Sequence, residues 1–425
     1  MKTYPRRRVL MLLENNPYLT DGRVKNEANA LTRAGYHVTV VSPRAPGHTA
    51  WVEDVQGVRV FGFPPTPEMD GFLGYIIEYG YATLIMSILS IVALVRGGVD
   101  IVHAHNPPDT FFWLGFIFKL IGKKFVFDQH DLAPEMYDAR SEALDGKPGN
   151  PLVRRALALM ERFTCQAANR IISTNESYKA RAIELYAQPA EKFTIVRNGP
   201  NPDKFKLAEP DARLRQQARY LIGYVGLMGP QDGVDYLISA LGHLVNDLGR
   251  RDVLCVVMGD GPALPALKQL AEELKIGPQV SFTGRVSQEA VVRYLSSVDV
   301  CVCPDPKNAY NDRSTMIKVM EYMALSRPTV AFDLCENRAS AGDAGVYAQP
   351  NDVRDMAREI ALLLDDPARR ERMGRLGRER VETQLAWHFQ ETQLLSLYAD
   401  LTGKANASSE AERDVRKIIQ SNSRV

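Results

Sequence analysis

The stretch Asn311 to Ala324, NDRSTMIKVMEYMA, carries the most informative spacing in the chain. Ser314 or Asp312 can cap a helix here, leaving the amides of Ser314, Thr315, Met316 and Ile317 at its first turn for a phosphate. Glu321 then falls two turns further on, about 10 Å along the axis and on nearly the same face as Ile317 and Lys318. That distance matches the span from a diphosphate to the ribose of a nucleotide. A carboxylate accepts two hydrogen bonds from a vicinal diol, while Lys318 or Arg313 balances phosphate charge. The plainer alternative for Glu321 is a pair with Lys318 on a solvated helix face.

Two glycine turns point the same way. Gly226-Leu227-Met228-Gly229-Pro230-Gln231-Asp232-Gly233 follows one expected strand, and Gly259-Asp260-Gly261-Pro262 follows the next. Glycines after a strand let backbone amides approach a phosphate, although this spacing is neither a Walker loop nor a dinucleotide fingerprint. A tight strand-to-helix turn is the competing explanation. In the first half, His130 in FDQHD stands just past a strand end beside Asp128 and Asp131. His103 and His105 alternate along one strand and share a face, with His105 at the end that borders a cleft and His103 in the core. Cys301 and Cys303 also share a face and are expected to be packing residues.

The elements that must position these groups are short β-branched runs alternating with helical stretches, the pattern of α/β parallel sheets with crossover helices. The first series of strands runs Val9 to Leu13, Tyr36 to Ser42, Val58 to Phe61, Val99 to His105, Phe125 to Asp128, Arg170 to Ser173 and Phe193 to Val196. The second runs Tyr220 to Val225, Val253 to Met258, Val280 to Thr283, Val300 to Cys303 and Thr329 to Phe332, with helices beginning near Gly233, Pro262, Ser287, Ser314 and Asp352. The expected domains are residues 1–199, a linker at 200–215, a second domain at 216–381, a helical segment at 382–401 packing back on the first domain, and a polar tail at 402–425. Two such domains place their ligand-binding strand ends across a cleft, which suits two substrates.

Fifty-two Lys and Arg against 51 Asp and Glu leave a net charge of +1, too little field to hold a nucleic acid. Five cysteines without a CxxC or a zinc-spaced cluster indicate a reducing compartment and no structural metal. The basic start MKTYPRRRVLMLL has too short an apolar run for a signal peptide and is expected to open the first strand. Phe72 to Val95 nears the length of a membrane span but is broken by Glu78 and two glycines, so a buried or interfacial helix is expected. FFWLGFIFKLIGKK, from Phe111 to Lys124, is expected to be a core helix. Its sharper reading adds a rim touching an anionic lipid surface.

The blocks YVGLMGPQDGVDYL, VMGDGP, FTGRV and STMIKVMEYMALSRPTVAFDL, in order, resemble the donor half of glycosyltransferase family 4. ALTRAGYHVTVVS, DIVHAHNP, FDQHDLAPE and IVRNGPNPDKF extend the likeness through the first half. The resemblance implies a GT-B fold with two Rossmann-like domains, and transfer from a nucleotide-sugar with retention of configuration. It places Glu321 on the second glutamate of the family's paired motif, which holds the ribose hydroxyls. It sets His130 near the anomeric centre or the acceptor, and Thr20-Asp21-Gly22-Arg23 at the acceptor pocket; His105, from its place at a strand end, is expected to join the acceptor-binding residues. The first glutamate of the pair falls on Arg313, and the usual arginine and lysine of the phosphate turn fall on Leu227 and Asp232. Arg285, Arg313 and Lys318 lie in matching blocks that can supply compensating charge, and Asp312 stands where it can replace the missing acid.

The resulting expectation is a cytoplasmic retaining glycosyltransferase, peripheral on the inner face of the plasma membrane. It moves a sugar from a nucleotide-diphosphate sugar to a glycan or lipid-linked acceptor in cell-surface polysaccharide biosynthesis. No cofactor is expected beyond the nucleotide-sugar co-substrate, and no metal, since no Asp-x-Asp pair stands where a cation would bridge a diphosphate. Two other readings stay open: a sugar-nucleotide epimerase on the same fold, and a catalytically silent nucleotide-binding partner protein.

Overall fold

A computed structural model describes residues 7–65, 71–107 and 109–403. Residues 404–425 of the expected tail, and the first six residues, lie outside the described residues. The chain divides into two units. The first comprises Met1–Pro134, Asn150–Val196 and Gln390–Val425, and the second Glu135–Gly149 and Arg197–Phe389. The segment 200–215 is no loose linker. Phe205 and Leu214 are buried in the core of the second unit, and Asp211 caps a short helix, Ala212–Arg215.

The first unit is built on eight strands: β1 Arg8–Leu12, β2 His37–Pro43, β3 Val52–Val55, β4 Val58–Phe63, β5 Ile101–His105, β6 Lys124–Gln129, β7 Arg170–Ser173 and β8 Phe193–Ile195. Their order across the sheet is β3-β4-β2-β1-β5-β6-β7-β8. All neighbours are parallel except β3, which pairs antiparallel with β4 at the edge. The inner strands are apolar on both sides because helices cover both faces. One layer, from helices Gly71–Gly97, Phe112–Leu120, Pro151–Ala167 and Glu176–Tyr186, buries Met86, Leu89, Phe118, Cys165 and Ala182 against Leu10, Val102 and Phe127.

The second unit has six parallel strands: β9 Tyr220–Val225, β10 Val253–Met258, β11 Val280–Gly284, β12 Val300–Cys303, β13 Thr329–Phe332 and β14 Gly345–Ala348. Their order is β11-β10-β9-β12-β13-β14. In each sheet the order reverses beside the first strand, at β1/β5 and at β9/β12. Such a reversal splays the neighbouring loops apart at the carboxyl ends of the strands and leaves a crevice for ligands.

Helix starts follow their caps. Asp21 accepts from the Val24 amide at 2.8 Å to open Gly22–Arg33, Ser287 opens Gln288–Ser297, and Asp352 opens Val353–Asp365. The expected start at Ser314 is corrected. The helix runs Ile317–Ala324, with Met316 at its N-cap and no side-chain cap. Ser314 instead donates to the Tyr310 carbonyl at 2.8 Å, and Asp312 accepts from the Cys335 amide at 3.0 Å, capping a different helix, Cys335–Ala341.

Candidate functional site

In the second unit, the helix Ile317–Ala324 is fixed to the sheet by Tyr322, whose hydroxyl accepts from the Val225 amide at 3.1 Å at the end of β9. One turn of that helix carries Lys318 and Glu321. The Lys318 ammonium donates to both carboxylate oxygens of Asp305, at 3.0 and 2.8 Å, and lies over the Tyr224 ring. Asp305 is buried just past β12, so this ion pair sits where the strand order reverses. Burial works against the charge on Lys318, but Asp305 outweighs it and holds the pKa well above the usual lysine range. Glu321 is half-buried, and its carboxylate has no hydrogen-bond or ion-pair partner among the described residues. Burial raises its pKa to about 7, with Lys318 pulling the other way.

The glycine turns play a different part from the one expected. The amide of Gly226 donates to the Met258 carbonyl (3.1 Å), that of Gly229 to the Asp232 carboxylate (2.8 Å), that of Gly259 to the Gly284 carbonyl (3.0 Å), and that of Gly261 to the Asp260 side chain (2.8 Å). None of the four is left over for a phosphate. What requires glycine is the approach of the two loops to each other. A Cβ on Gly259, whose φ is +133°, would lie 1.9 Å from the Gly226 carbonyl oxygen, and one on Gly261 would lie 2.5 Å from that of Met228. Glycine thus brings the carboxyl ends of β9 and β10 together.

The remaining donor-side candidates scatter. Arg285 is exposed directly after β11. Arg313 reaches the Ala309 carbonyl at 3.2 Å. Thr315 donates to Glu336 at 3.2 Å. Asp312 is engaged by Cys335 and lies 3.5 Å from the Lys307 ammonium, so it is not free to stand in for a missing acid. Sequence reasoning passed over Asp305 and the buried Glu336, which lies 3.3 Å from the Arg197 guanidinium. Asp305 was detectable, as a carboxylate within two residues of a strand exit.

In the first unit, Arg23, Glu27, His103, His105, Asp128 and His130 converge behind the ends of β5 and β6. Arg23 was expected at an acceptor pocket, but it is buried. Its Nε and Nη2 donate to Asp128 at 3.0 and 2.8 Å, and Nη1 donates to the Val196 carbonyl at 2.9 Å. The cause is helical periodicity: Arg23 and Glu27, 3.1 Å apart, share the inner face of the helix that Asp21 opens. Asp21 is occupied as that cap, and a side chain at Gly22 would meet open space.

His105 does not border solvent either. It is fully buried, stacked on His103 at 4.3 Å, with Nδ1 3.2 Å from Asp128. His130 alone of the three keeps some exposure, 14% of its side chain, with Nε2 2.9 Å from both Asp128 and the Arg23 Nε. Burial lowers the pKa of His103 and of His105 and raises that of Glu27, so these groups favour their neutral forms. Burial also opposes charge on Asp128, yet Arg23 and His130 outweigh it and hold that carboxyl well below the usual range. One buried cation and one buried anion therefore balance.

The family described as "Glycosyl transferase 4-like domain" matches residues 22–199, and that described as "Glycosyl transferases group 1" matches residues 219–366. Between them they cover both units. The chain is a GT-B glycosyltransferase. It is similar to the alpha-D-kanosaminyltransferase of Streptomyces kanamyceticus, 26% identical over 75% of this chain and 82% of that one. Its fold matches the sucrose-phosphate synthase of Thermosynechococcus elongatus with a TM-score of 0.75 at 19% identity, over 94% of this chain and 100% of that one. It also matches Anabaena HepE, solved in complex with UDP-glucose, with a TM-score of 0.69 at 14% identity over 92% and 99%.

In this glycosyltransferase the first-unit cluster also has the residue types of a metal centre. Ligand atoms of Glu27, His103, His105 and Asp128 lie within 4.8 Å of one another. The guanidinium of Arg23 already meets Asp128 and Glu27 at about hydrogen-bond distance and supplies the positive charge a cation would bring, so these residues do not fit a metal. The network extends to the C-terminal helix, where the Tyr398 hydroxyl lies 2.9 Å from His103 Nδ1. Tyr398→Phe is expected to leave that buried ring nitrogen unsatisfied and to lower stability by about 1–2 kcal/mol, read by chemical denaturation.

Proposed function

We propose that this glycosyltransferase is a retaining enzyme that moves a sugar from a nucleotide-diphosphate sugar to a hydroxyl of a glycan or lipid-linked acceptor in cell-surface polysaccharide assembly. The second unit holds the donor, and the first presents the acceptor. One observation carries the reading: Glu321 is kept half-buried, with no hydrogen-bond or ion-pair partner among the described residues, one turn from a partly buried, charged lysine. A carboxylate in that state is costly unless a ligand completes it, and the two hydroxyls of a ribose are suited to do so. The UDP-glucose bound by Anabaena HepE supports a diphosphate-sugar donor.

As the bond from the anomeric carbon to the diphosphate breaks, negative charge gathers on the leaving phosphate oxygen and an oxocarbenium-like sugar forms. That oxygen takes the proton of the acceptor hydroxyl as the new glycosidic bond closes on the same face. Lys318, held in place by Asp305 before substrate arrives, stabilises the growing charge without reorganisation. Arg285 offers a second cation. No metal is assigned a step, and the role of touching the sugar or acceptor is assigned to His130, which keeps some exposure past the end of β6.

The test is a thermal-shift series with UDP, GDP, ADP, CMP and their sugars. A shift of a few degrees with one nucleoside diphosphate and its sugar is the expected result. No response to any diphosphate at millimolar concentration removes the donor site, and a product of inverted anomeric configuration removes the retaining mechanism. A silent binding protein is favoured by Arg313 in place of an acid. It predicts nucleotide binding with neither transfer nor donor hydrolysis.

A further inference from the structure

The layer of helices Gly71–Gly97, Phe112–Leu120 and Pro151–Ala167 is apolar on both sides. Its inner side is the core of the first unit. On the outer side of the first helix Leu84, Ile88, Ile91 and Val95 are exposed, spaced by four, three and four residues and so forming one stripe. The second helix and its end expose Phe116, Ile117, Leu120 and Ile121, with Leu120 at 87%. The third exposes Leu152, Leu159 and Phe163. Isolated exposed aliphatics need no explanation, but a face shared by three neighbouring helices does.

Charge identifies the occupant. Gly71–Gly97 contains one acidic residue, Glu78, which precedes the stripe; Phe112–Lys124 contains none, and the third helix contains only Glu161, which is buried against Arg181. The exposed cations along this face are Arg96 and Lys119 on the first two helices and Arg155 and Arg162 on the third, with the Lys119 ammonium also donating to the Ala167 carbonyl at 2.9 Å. In a chain with almost equal numbers of acids and bases this is a local exclusion of negative charge. It ends at the next helix of the layer, Glu176–Tyr186, where Glu176 and Glu184 are exposed.

We infer that this three-helix face is a docking surface for a bilayer rich in anionic lipid. Its aliphatic stripe settles at the headgroup level while its arginines and Lys119 meet lipid phosphates. The helix Gly71–Gly97 lies along the membrane and does not cross it. Gly80–Gly97 is long and apolar enough to span, but Ala82, Met86, Leu89 and Ala93 are committed to the protein core. A second copy of the chain is disfavoured, because a two-fold contact on this face would set the same cations against each other.

The inference goes beyond the transfer reaction and stands on this surface alone. The full chain is sedimented with phosphatidylcholine vesicles and with vesicles carrying about 30% phosphatidylglycerol. At least tenfold tighter binding to the anionic vesicles is expected, weakened by salt. Arg155→Glu/Arg162→Glu and, separately, Leu84→Ser/Ile88→Ser/Ile91→Ser each reduce it at least tenfold. Neither set touches the core, so melting temperature and the nucleotide response are expected to stay as in the parent, which separates failure here from failure of the donor site. Absent vesicle binding overturns the proposal, as does equal binding by the charge-reversed variant. A vesicle-free dimer abolished by these same substitutions also overturns it.

Discussion

Glu321→Ala is expected to weaken binding of the cognate nucleoside diphosphate about a hundredfold. Two charge-assisted hydrogen bonds to a diol are worth roughly 3 kcal/mol together, and each 1.4 kcal/mol is tenfold. Titration calorimetry against the nucleotide found by thermal shift checks it, and an unchanged Kd would mean that the carboxylate does not touch the ribose. The companion change Glu321→Gln separates function from stability. The folded pKa of about 7 stands above that of an unfolded glutamate. The group therefore favours the fold at low pH and withdraws that support as pH rises from the ordinary carboxylate range to about 7. Above pH 7 the ionised form costs about 1–2 kcal/mol, reduced from the full linkage value because the side chain is only half-buried. The glutamine variant escapes this cost. At pH 8 it is expected to melt a few degrees higher than the parent while binding nucleotide worse, and the parent's own affinity is expected to rise about tenfold from pH 6 to pH 8.

Asp128→Asn is expected to be the most destabilising conservative change in the first unit, at about 3–5 kcal/mol. It removes the ionised partner of the buried Arg23 guanidinium and leaves it beside Glu27, whose charge burial opposes. Glu27, 3.1 Å from Arg23, takes over only in part: losing Asp128 removes one cause of its raised pKa, but burial, the largest cause, still opposes its charge. Replacing both partners, Arg23→Met with Asp128→Leu, is expected to cost less than the single change, since no buried charge is stranded. Denaturation followed by near-ultraviolet dichroism distinguishes the two, and a single variant as stable as the parent would refute the pairing. The low pKa of Asp128 fixes the acid limit of this support. It is complete above the ordinary carboxylate range and disappears as pH falls through the folded value.

Much of this arrangement was legible in the residues. Strands such as Tyr220–Val225 and Val253–Met258 are near-continuous apolar runs, because both faces are covered, and Asp21, Ser287 and Asp352 are caps that a sequence displays openly. Strands β3 and β14 were not foreseen. VEDV is an exposed edge with two acids, and GVYA is short and opens on glycine. The start of the helix Ile317–Ala324 was misplaced by three residues because two good capping residues, Asp312 and Ser314, use their side chains on other parts of the fold. The family resemblance sets Arg23 at an acceptor pocket, and His105 is expected to border a cleft because it ends a strand. Only tertiary structure reveals that both turn inward onto Asp128, Arg23 as its counter-ion and the neutral His105 with Nδ1 3.2 Å away. The glycine turns were recognised, but the amides of Gly226 and Gly259 go to Met258 and Gly284, distant partners that no local pattern encodes.

The contact between Gly259 and the Gly226 carbonyl has a consequence for redesign. The two turns are interlocked parts, each cut to the other's outline, so grafting one from another transferase without its mate introduces a collision at the joint. Attempts to retune sugar choice by loop exchange should carry both turns, with the strand ends that frame them, as a single cassette.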